Sequence, residues 1–437
     1  MESQPAFSPL TPVPPDRRPF RFGDCFALWS SLGVGLLVLQ AGALLVPGLG
    51  VGPALAAILL GSAVGAALLA LAGVVGSDTG VATMAALRPA LGVRSSFLPT
   101  LANIVQLVGW GTFEIIIMRD SADAIDRRLG AFSSPLLWTL VWGGLATLLA
   151  FGGPLRFVRQ FLRRWGIWLV YAAALWLTVQ LVTRYDLTTL LARAGTGELA
   201  FGLGVDLVVA MPLSWLPLVA DYTRFGRSAR PVFWGTALGY FVANVWFYAL
   251  GAAYALALGG GDLIQAILAA SGGLLALGLI LVDETDNAFA DIYSAAVSTG
   301  NVLPQLATPW LALGYGALCT VLALLVPIGQ YQEFLLLIGS LFAPLFGIVL
   351  VDHFVVRRRR IAAAELERRG GAYWYLAGWG WPGLLAWAIG VGVFQAIAHE
   401  LPDLGATLPS LLAGGLAYLL LVRVGLARPL PAAGRAS

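Results

Sequence analysis

The 437-residue chain has no lysine, two histidines, two cysteines and charged residues at only 11% of positions. Each scarcity excludes something. Without lysine there is no phosphate-binding lysine motif, which argues against ATP-driven work by this chain itself. His353 and His399 stand alone, without partners at metal-ligand spacing, and read as residues at the ends of apolar segments. Cys25 and Cys319 lie far apart in apolar stretches, which gives neither a metal site nor a disulfide framework and leaves both as small packing residues. What is abundant is apolar: 59% of residues are hydrophobic and the mean hydropathy is +0.84, far outside the range of water-soluble domains.

Runs such as residues 53–75, 233–258 and 335–351 approach or exceed the ~20 residues needed to cross a ~30 Å hydrocarbon core as helix. Apolar runs read against turn signals place spans near 26–47, 51–75, 97–118, 135–151, 166–184, 199–220, 233–258, 268–298, 308–327, 334–356, 379–399 and 406–424. The expected fold class is therefore an all-α integral membrane protein of about 12 transmembrane helices. The Pro-rich start reads as a disordered cytoplasmic tail rather than a cleaved leader. The basic residues fall in short clusters between spans: Arg17, Arg18 and Arg21, then Arg88 and Arg94, Arg156 to Arg164, Arg224 to Arg230, Arg357 to Arg360, and the tail's Arg428 and Arg435. Their alternation predicts both termini on the cytoplasmic side, with the arginines as topology determinants touching lipid headgroups rather than nucleic acid.

Two spans are interrupted. Span 1 contains Ser30-Ser31-Leu32-Gly33-Val34-Gly35, and span 6 contains Met211-Pro212-Leu213-Ser214-Trp215-Leu216-Pro217, whose two prolines each remove a helix hydrogen bond. They sit five spans apart, as expected of a five-plus-five inverted repeat whose first helices are broken near the bilayer midplane. The organisation follows: a tail at 1–21, a first repeat at 22–195, a second at 196–360, two added spans at 361–426 and a tail at 427–437.

Polar residues inside a bilayer are costly and tend to face a cavity. On span 3, Gln106, Trp110 and Glu114 recur every four residues on one helical face, with Asn103 beside them. An indole offers a flat surface to a heteroaromatic ring, and amide and carboxyl groups pair with ring nitrogens and amines, so a planar, nitrogenous solute fits. A carboxyl kept from water at Glu114 can also carry a proton. On span 8, at 100° per residue, Asp283, Asp286, Asn287, Asp291, Ser294 and Ser298 fall on one face with Glu284 at its margin. Such a face, opposite the backbone of a broken first span, suits Na⁺ or a proton relay; otherwise the stretch is a loop between two short segments.

These segments resemble the nucleobase:cation symporter family, also called purine–cytosine permeases. The resemblance rests on Gly80-Val81-Ala82-Thr83-Met84, Arg88, Leu91 to Ser96, Leu98-Pro99, Asn103 and Gly109-Trp110, and on Leu28-Trp29, Ser214 to Pro217, Asp221 to Arg224 and Asp291 to Ala295. The last two segments look most like the branch of hydroxymethylpyrimidine transporters. The resemblance implies a LeuT-like fold with broken helices 1 and 6, rocking alternating access, and cation-coupled uptake across the inner membrane. It further implies that Trp110 stacks on the substrate ring, with Glu114 four residues on, and that Ser214, beside Trp215, faces the substrate near the Gly33 break. The family's sodium site would use span 1 carbonyls between Ser31 and Val34 and span 8 hydroxyls. Here that position reads Asp283-Glu284-Thr285-Asp286-Asn287, with a single hydroxyl, so coupling to H⁺ stands beside coupling to Na⁺.

The chain is thus expected to be a secondary transporter, not an enzyme, with no cofactor beyond its coupling ion. Its partners would be the bilayer and a small pyrimidine-type ring, hydroxymethylpyrimidine first, with cytosine, a purine, hydantoin or allantoin as alternatives. The oligomeric state is left open, and a monomer is compatible with it. A membrane-embedded enzyme would need a second acidic or histidine group converging on span 8, and a channel would not need broken helices in repeat register.

Overall fold

A computed structural model describes residues 10–130, 132–152, 167–258 and 263–425. The Arg156 to Arg164 cluster, both terminal extremities and thus Arg428 and Arg435 lie outside the described residues. Twelve helical segments stand where the twelve spans were expected. Seven are helical runs long and apolar enough to cross a membrane, and an eighth is the bent pair Phe22–Ser31 and Leu36–Ala43. The other four are the shorter apolar Thr308–Leu322 and Thr407–Arg423, the acid-bearing Gly273–Thr299, and Ile167–Arg184. Span 8 is therefore one continuous helix, not a loop splitting two segments.

Consecutive spans alternate in direction, which collects the chain's start and the ends of spans 2, 6, 8 and 10 on one face, called here the N-terminal face. Small residues let the spans approach. A side-chain carbon on Gly61 of span 2 would stand 2.7 Å from Val208 of span 6, and one on Gly65 would overlap Pro212. On the opposite face Asp206 accepts from the backbone N–H groups of Ala406 (2.6 Å) and Thr407 (3.0 Å), capping span 12 from span 6.

The two interruptions differ. Span 1 breaks outright at Leu32–Gly35 with a 61° bend. Span 6 runs as Phe201–Ser214, a 3₁₀ turn at Leu216–Leu218 and Val219–Thr223, without a comparable bend. The prolines explain this: Pro217 cannot donate, the 3₁₀ turn takes Leu218 N–H to Trp215 O, and the Ser214 carbonyl is left free without the axis turning.

The N-terminal face corrects two expectations. Residues 10–21, read as part of a disordered tail, are folded back, with Val13 and Phe20 buried, because the ends of spans 2 and 6 offer them backbone partners. The arginines after span 10 are not all headgroup contacts. Arg357, almost wholly buried, pairs with Asp352 at 2.8 Å and donates to the Pro89 carbonyl and the Tyr375 hydroxyl, each at 2.7 Å. Arg359 holds Asp78 at the end of span 2 at 2.7 Å, where His353, itself buried rather than interfacial, also binds at 2.9 Å.

Candidate functional site

A small cavity lies where the break of span 1 faces spans 3, 6 and 8. It is lined by Leu32, Gly35, Leu37 and Val38 of span 1, Trp110 and Glu114 of span 3, Met211, Ser214 and Trp215 of span 6, and Glu284, Asn287 and Asp291 of span 8. The sequence places these residues by leaving backbone unsatisfied. In an uninterrupted helix Leu36 N–H would bond one turn back; here it donates to Glu284 Oε2 at 2.9 Å. The Val34 carbonyl accepts from Asn287 Nδ2 at 3.1 Å, and Ser31 Oγ donates to Asp286 Oδ2 at 2.9 Å. Three side chains of span 8 thus hold the break of span 1. The break of span 6 is held from span 3: Gln106 Nε2 donates to the freed Ser214 carbonyl at 2.8 Å and to Asn103 Oδ1 at 3.0 Å.

Gly35 makes the first junction possible. A side-chain carbon there would stand 2.8 and 3.0 Å from the two Glu284 carboxyl oxygens and 3.1 Å from Asn287 Nδ2. Gly35→Ala is expected to fold, since only side-chain ends must yield, yet to displace Glu284 and weaken binding of the transported solute. Calorimetric titration of the purified variant checks this, and unchanged affinity would remove the Gly35–Glu284 junction from the site.

Inside the cavity, hydrogen-bond acceptors outnumber donors. Glu114 and Glu284 are both buried there, and Glu114 Oε2, Glu284 Oε1 and Asn287 Oδ1, with Gln106 Oε1 beside them, find no partner among the described residues. Two carboxyl groups kept from water in one cavity are held at least cost with a proton on one of them, which can then donate. Asp291 is buried and carries no hydrogen bond among the described residues. The one unpartnered donor beside them is Trp110 Nε1. Aromatic rings pack around Trp110 and Trp215 of the lining. Trp110 meets Phe334 at 5.3 Å and Tyr331 at 5.8 Å, and Tyr331 donates to the Leu37 carbonyl at 3.0 Å. On the other side Trp29 packs edge-on against Trp215 (6.1 Å) and Tyr222 (6.2 Å).

Of the residues singled out from sequence, Trp110, Glu114, Ser214, Trp215, Glu284, Asn287 and Asp291 line the cavity. Glu114 is buried within span 3 rather than reaching water at its outer end. Gln106 is adjacent but spent on Ser214 and Asn103, and Gly33 packs against Ala243 and Tyr240. Ser31, Val34 and Asp286 form the seam between spans 1 and 8. Thr285 turns its hydroxyl back to the Val282 carbonyl at 2.6 Å, away from the break. The side chain of Asp283 lies outside the described residues. Glu284, placed at the margin of the polar face, is in the cavity. Gly35 and the apolar lining were not singled out; the Gly33-x-Gly35 spacing was the available signal for the first.

Comparison with known proteins agrees with this geometry. The chain is 28% identical over 373 residues to the cytosine permease of Escherichia coli (strain K12), covering 84% of this chain and 82% of that one. It is 24% identical over 439 residues to the hydantoin permease of Microbacterium maritypicum, covering 92% and 88%. Among solved structures, Mhp1, a nucleobase-cation-symport-1 family transporter, matches in a closed conformation with bromovinylhydantoin bound at a TM-score of 0.84, with 20% identity over 96% of this chain and 95% of that one. Its inward-facing conformation matches at 0.76, with 21% identity over 94% and 92%. At these identities the structures establish the fold, a LeuT-type transporter architecture. The relatives are permeases, not enzymes. The profile described as permease for cytosine/purines, uracil, thiamine, allantoin matches residues 12–414, and the chain belongs to that family, the nucleobase–cation symporters.

Proposed function

We propose that this transporter imports an amino-substituted pyrimidine, with hydroxymethylpyrimidine, the thiamine precursor, as the first candidate, and that it does so with H⁺ as the coupling ion. The observation that carries the reading is the excess of unpaired acceptors in the cavity beside one indole face. A 4-aminopyrimidine brings an exocyclic amine to Asp291 or Asn287, its ring nitrogen accepts from a protonated Glu114 carboxyl, and its flat face lies on Trp110. A hydantoin or uracil ring, with two carbonyls flanking an N–H, would set acceptor against acceptor. Cytosine keeps the same amine and ring-nitrogen edge, and the resemblance to a cytosine permease makes it the second reading.

The Ser31–Asp286 hydrogen bond supports H⁺ over Na⁺, because it joins the two segments that the family's sodium site would bridge. The arginine bias supports a cytoplasmic N-terminal face, with the chain in the cytoplasmic membrane as part of the same proposal.

Uptake of labelled hydroxymethylpyrimidine into proteoliposomes, with proton and sodium gradients imposed separately, tests the reading. Proton-driven accumulation with competition by cytosine and little by hydantoin is expected. Accumulation driven only by sodium would overturn the ion, and transport of hydantoin instead would overturn the ring. Trp110→Leu should weaken ring binding roughly two- to tenfold, the loss of stacking worth ~0.5–1.5 kcal/mol. Leucine is preferable to alanine, which would also open a hole against Tyr331 and Phe334 at a cost of about 3–5 kcal/mol in stability.

A further inference from the structure

We infer that Arg94 and the turn from Trp374 to Trp381 hold the headgroup phosphate of an anionic phospholipid in the leaflet bordering the N-terminal face, with its acyl chains along the exposed sides of spans 3 and 11. The structure sorts the arginines of this face. Arg18 donates from Nε to the Val13 carbonyl at 2.8 Å and from Nη1 to the Ser77 carbonyl at 2.6 Å. Arg88, expected at the headgroups, is buried, and donates to Asn301 Oδ1 at 3.0 Å and to the Leu366 carbonyl at 2.9 Å. Arg357 and Arg359 bind carboxylates. Arg94 is exposed, its guanidinium makes no hydrogen bond or ion pair among the described residues, and it lies over the Trp374 ring at 5.2 Å. No other exposed arginine among the described residues is seated on a ring.

The turn beneath it is fixed. Leu376 and Trp379 pair as an antiparallel bridge, and Ala377 and Gly378 between them are left-handed, at φ +53° and +93°. Arg94 N–H donates to the Gly378 carbonyl at 2.9 Å, while Gly380 N–H donates to the Leu91 carbonyl at 2.7 Å and to Ser95 Oγ at 3.1 Å. A side-chain carbon on Gly378 would stand 2.8 Å from Arg94 Cγ, so the stem of the arginine lies on the turn. Held in this way, the turn projects Leu376, which is 75% exposed, and stacks Trp379 on Trp381 at 5.8 Å, where span 11 begins and Trp381 is 58% exposed.

An apolar side chain this open on a fixed turn, beside indoles and a free guanidinium, matches the depth at which headgroups meet acyl chains. Two exposed apolar rows start from there: Leu98, Leu101 and Val105 on span 3, and Trp381, Leu385 and Ile389 on span 11. Gly383 brings span 11 against the connection that leads into span 3, since a side-chain carbon there would stand 2.6 Å from the Ala90 carbonyl oxygen. A guanidinium offers paired N–H groups to phosphate oxygens. A choline headgroup would bring its own cation to the same arginine, so a lipid of net negative charge is preferred. Soluble phosphate gains nothing from Leu376 or the apolar rows. The site uses no cavity residue and stands whatever ring and ion are carried.

Native mass spectrometry of the full chain, stripped of lipid in detergent and titrated with phosphatidylglycerol or phosphatidylcholine of the same acyl chains, tests the site. The first phosphatidylglycerol should bind more tightly than the first phosphatidylcholine. Arg94→Gln should weaken phosphatidylglycerol about fivefold, the share of one arginine near an anionic surface, and leave phosphatidylcholine as it is. Arg230→Gln, at another exposed arginine of this face, should change neither. Unchanged phosphatidylglycerol affinity in Arg94→Gln would overturn the site, and so would an equal loss in Arg230→Gln, which marks diffuse charge alone. Equal affinity of the native chain for the two lipids, or a parallel loss of both in Arg94→Gln, would overturn it as well. Inorganic phosphate should not compete; displacement of the lipid by it would make this a soluble-anion site instead.

Discussion

Glu284→Gln is expected to abolish proton-driven accumulation of the ring while leaving a folded carrier that still exchanges it. Glutamine keeps an oxygen for Leu36 N–H, so the break of span 1 stays held, and it offers Glu114 an amide donor in place of a carboxyl. What disappears is one of the two cavity carboxyl groups that can carry the coupling proton. With one proton per ring, a pH difference of one unit sustains at most a roughly tenfold accumulation, the equivalent of about 1.4 kcal/mol. In the variant the ratio should fall to one, while exchange of labelled for unlabelled ring continues. Glu284→Ala is the harsher change, because it strands the Leu36 N–H at a cost of about 1–3 kcal/mol and should lose exchange as well. Native-like accumulation in Glu284→Gln would move the coupling proton elsewhere.

The largest loss of stability is expected from Arg357→Ala. Its guanidinium is buried over the Tyr373 ring at 5.1 Å, paired with Asp352, and bonded to Pro89 and Tyr375. Removing it leaves the buried Asp352 carboxylate with only the Tyr418 hydroxyl, at 2.7 Å, among the described residues, and breaking such a pair costs about 3–5 kcal/mol. The apparent melting temperature in detergent should fall by several degrees. Because the stranded charge is the main penalty, the double variant Arg357→Ala/Asp352→Asn should be more stable than Arg357→Ala alone. A double variant no better than the single one would show that packing of the arginine, not its charge, is what spans 10 and 12 need there.

The twelve spans were legible because one requirement dominates a membrane chain: every backbone group in the bilayer must be paired within its own segment, so apolar length and turn residues mark the helices directly. The interruptions at Gly33–Gly35 and Pro212–Pro217 were legible for the same reason, since each removes or misdirects a helix hydrogen bond. The stripe of Gln106, Trp110 and Glu114 followed from helical period alone.

Which of those polar groups are free was not in the period. Gln106 and Glu114 share a helical face, yet Gln106 is consumed by a carbonyl that only the 3₁₀ turn of span 6 releases, while Glu114 meets a carboxyl from span 8. Glu284 stood at the margin of a polar face drawn on an isolated helix. Its partner is the broken helix of span 1, which approaches off that axis because Gly35 has no side chain to keep it away. Likewise Arg18 and Arg357 read as topology charges until the ends of spans 2, 6 and 10 bring carbonyls and a buried carboxylate to them. The sequence by itself determined the number of helices, their breaks and the chemical character of the cavity, because those are local properties of apolar length, hydrogen-bond accounting and helical period. The tertiary structure decided which polar groups are left unpaired, because that depends on backbone freed in one span meeting side chains of another far along the chain.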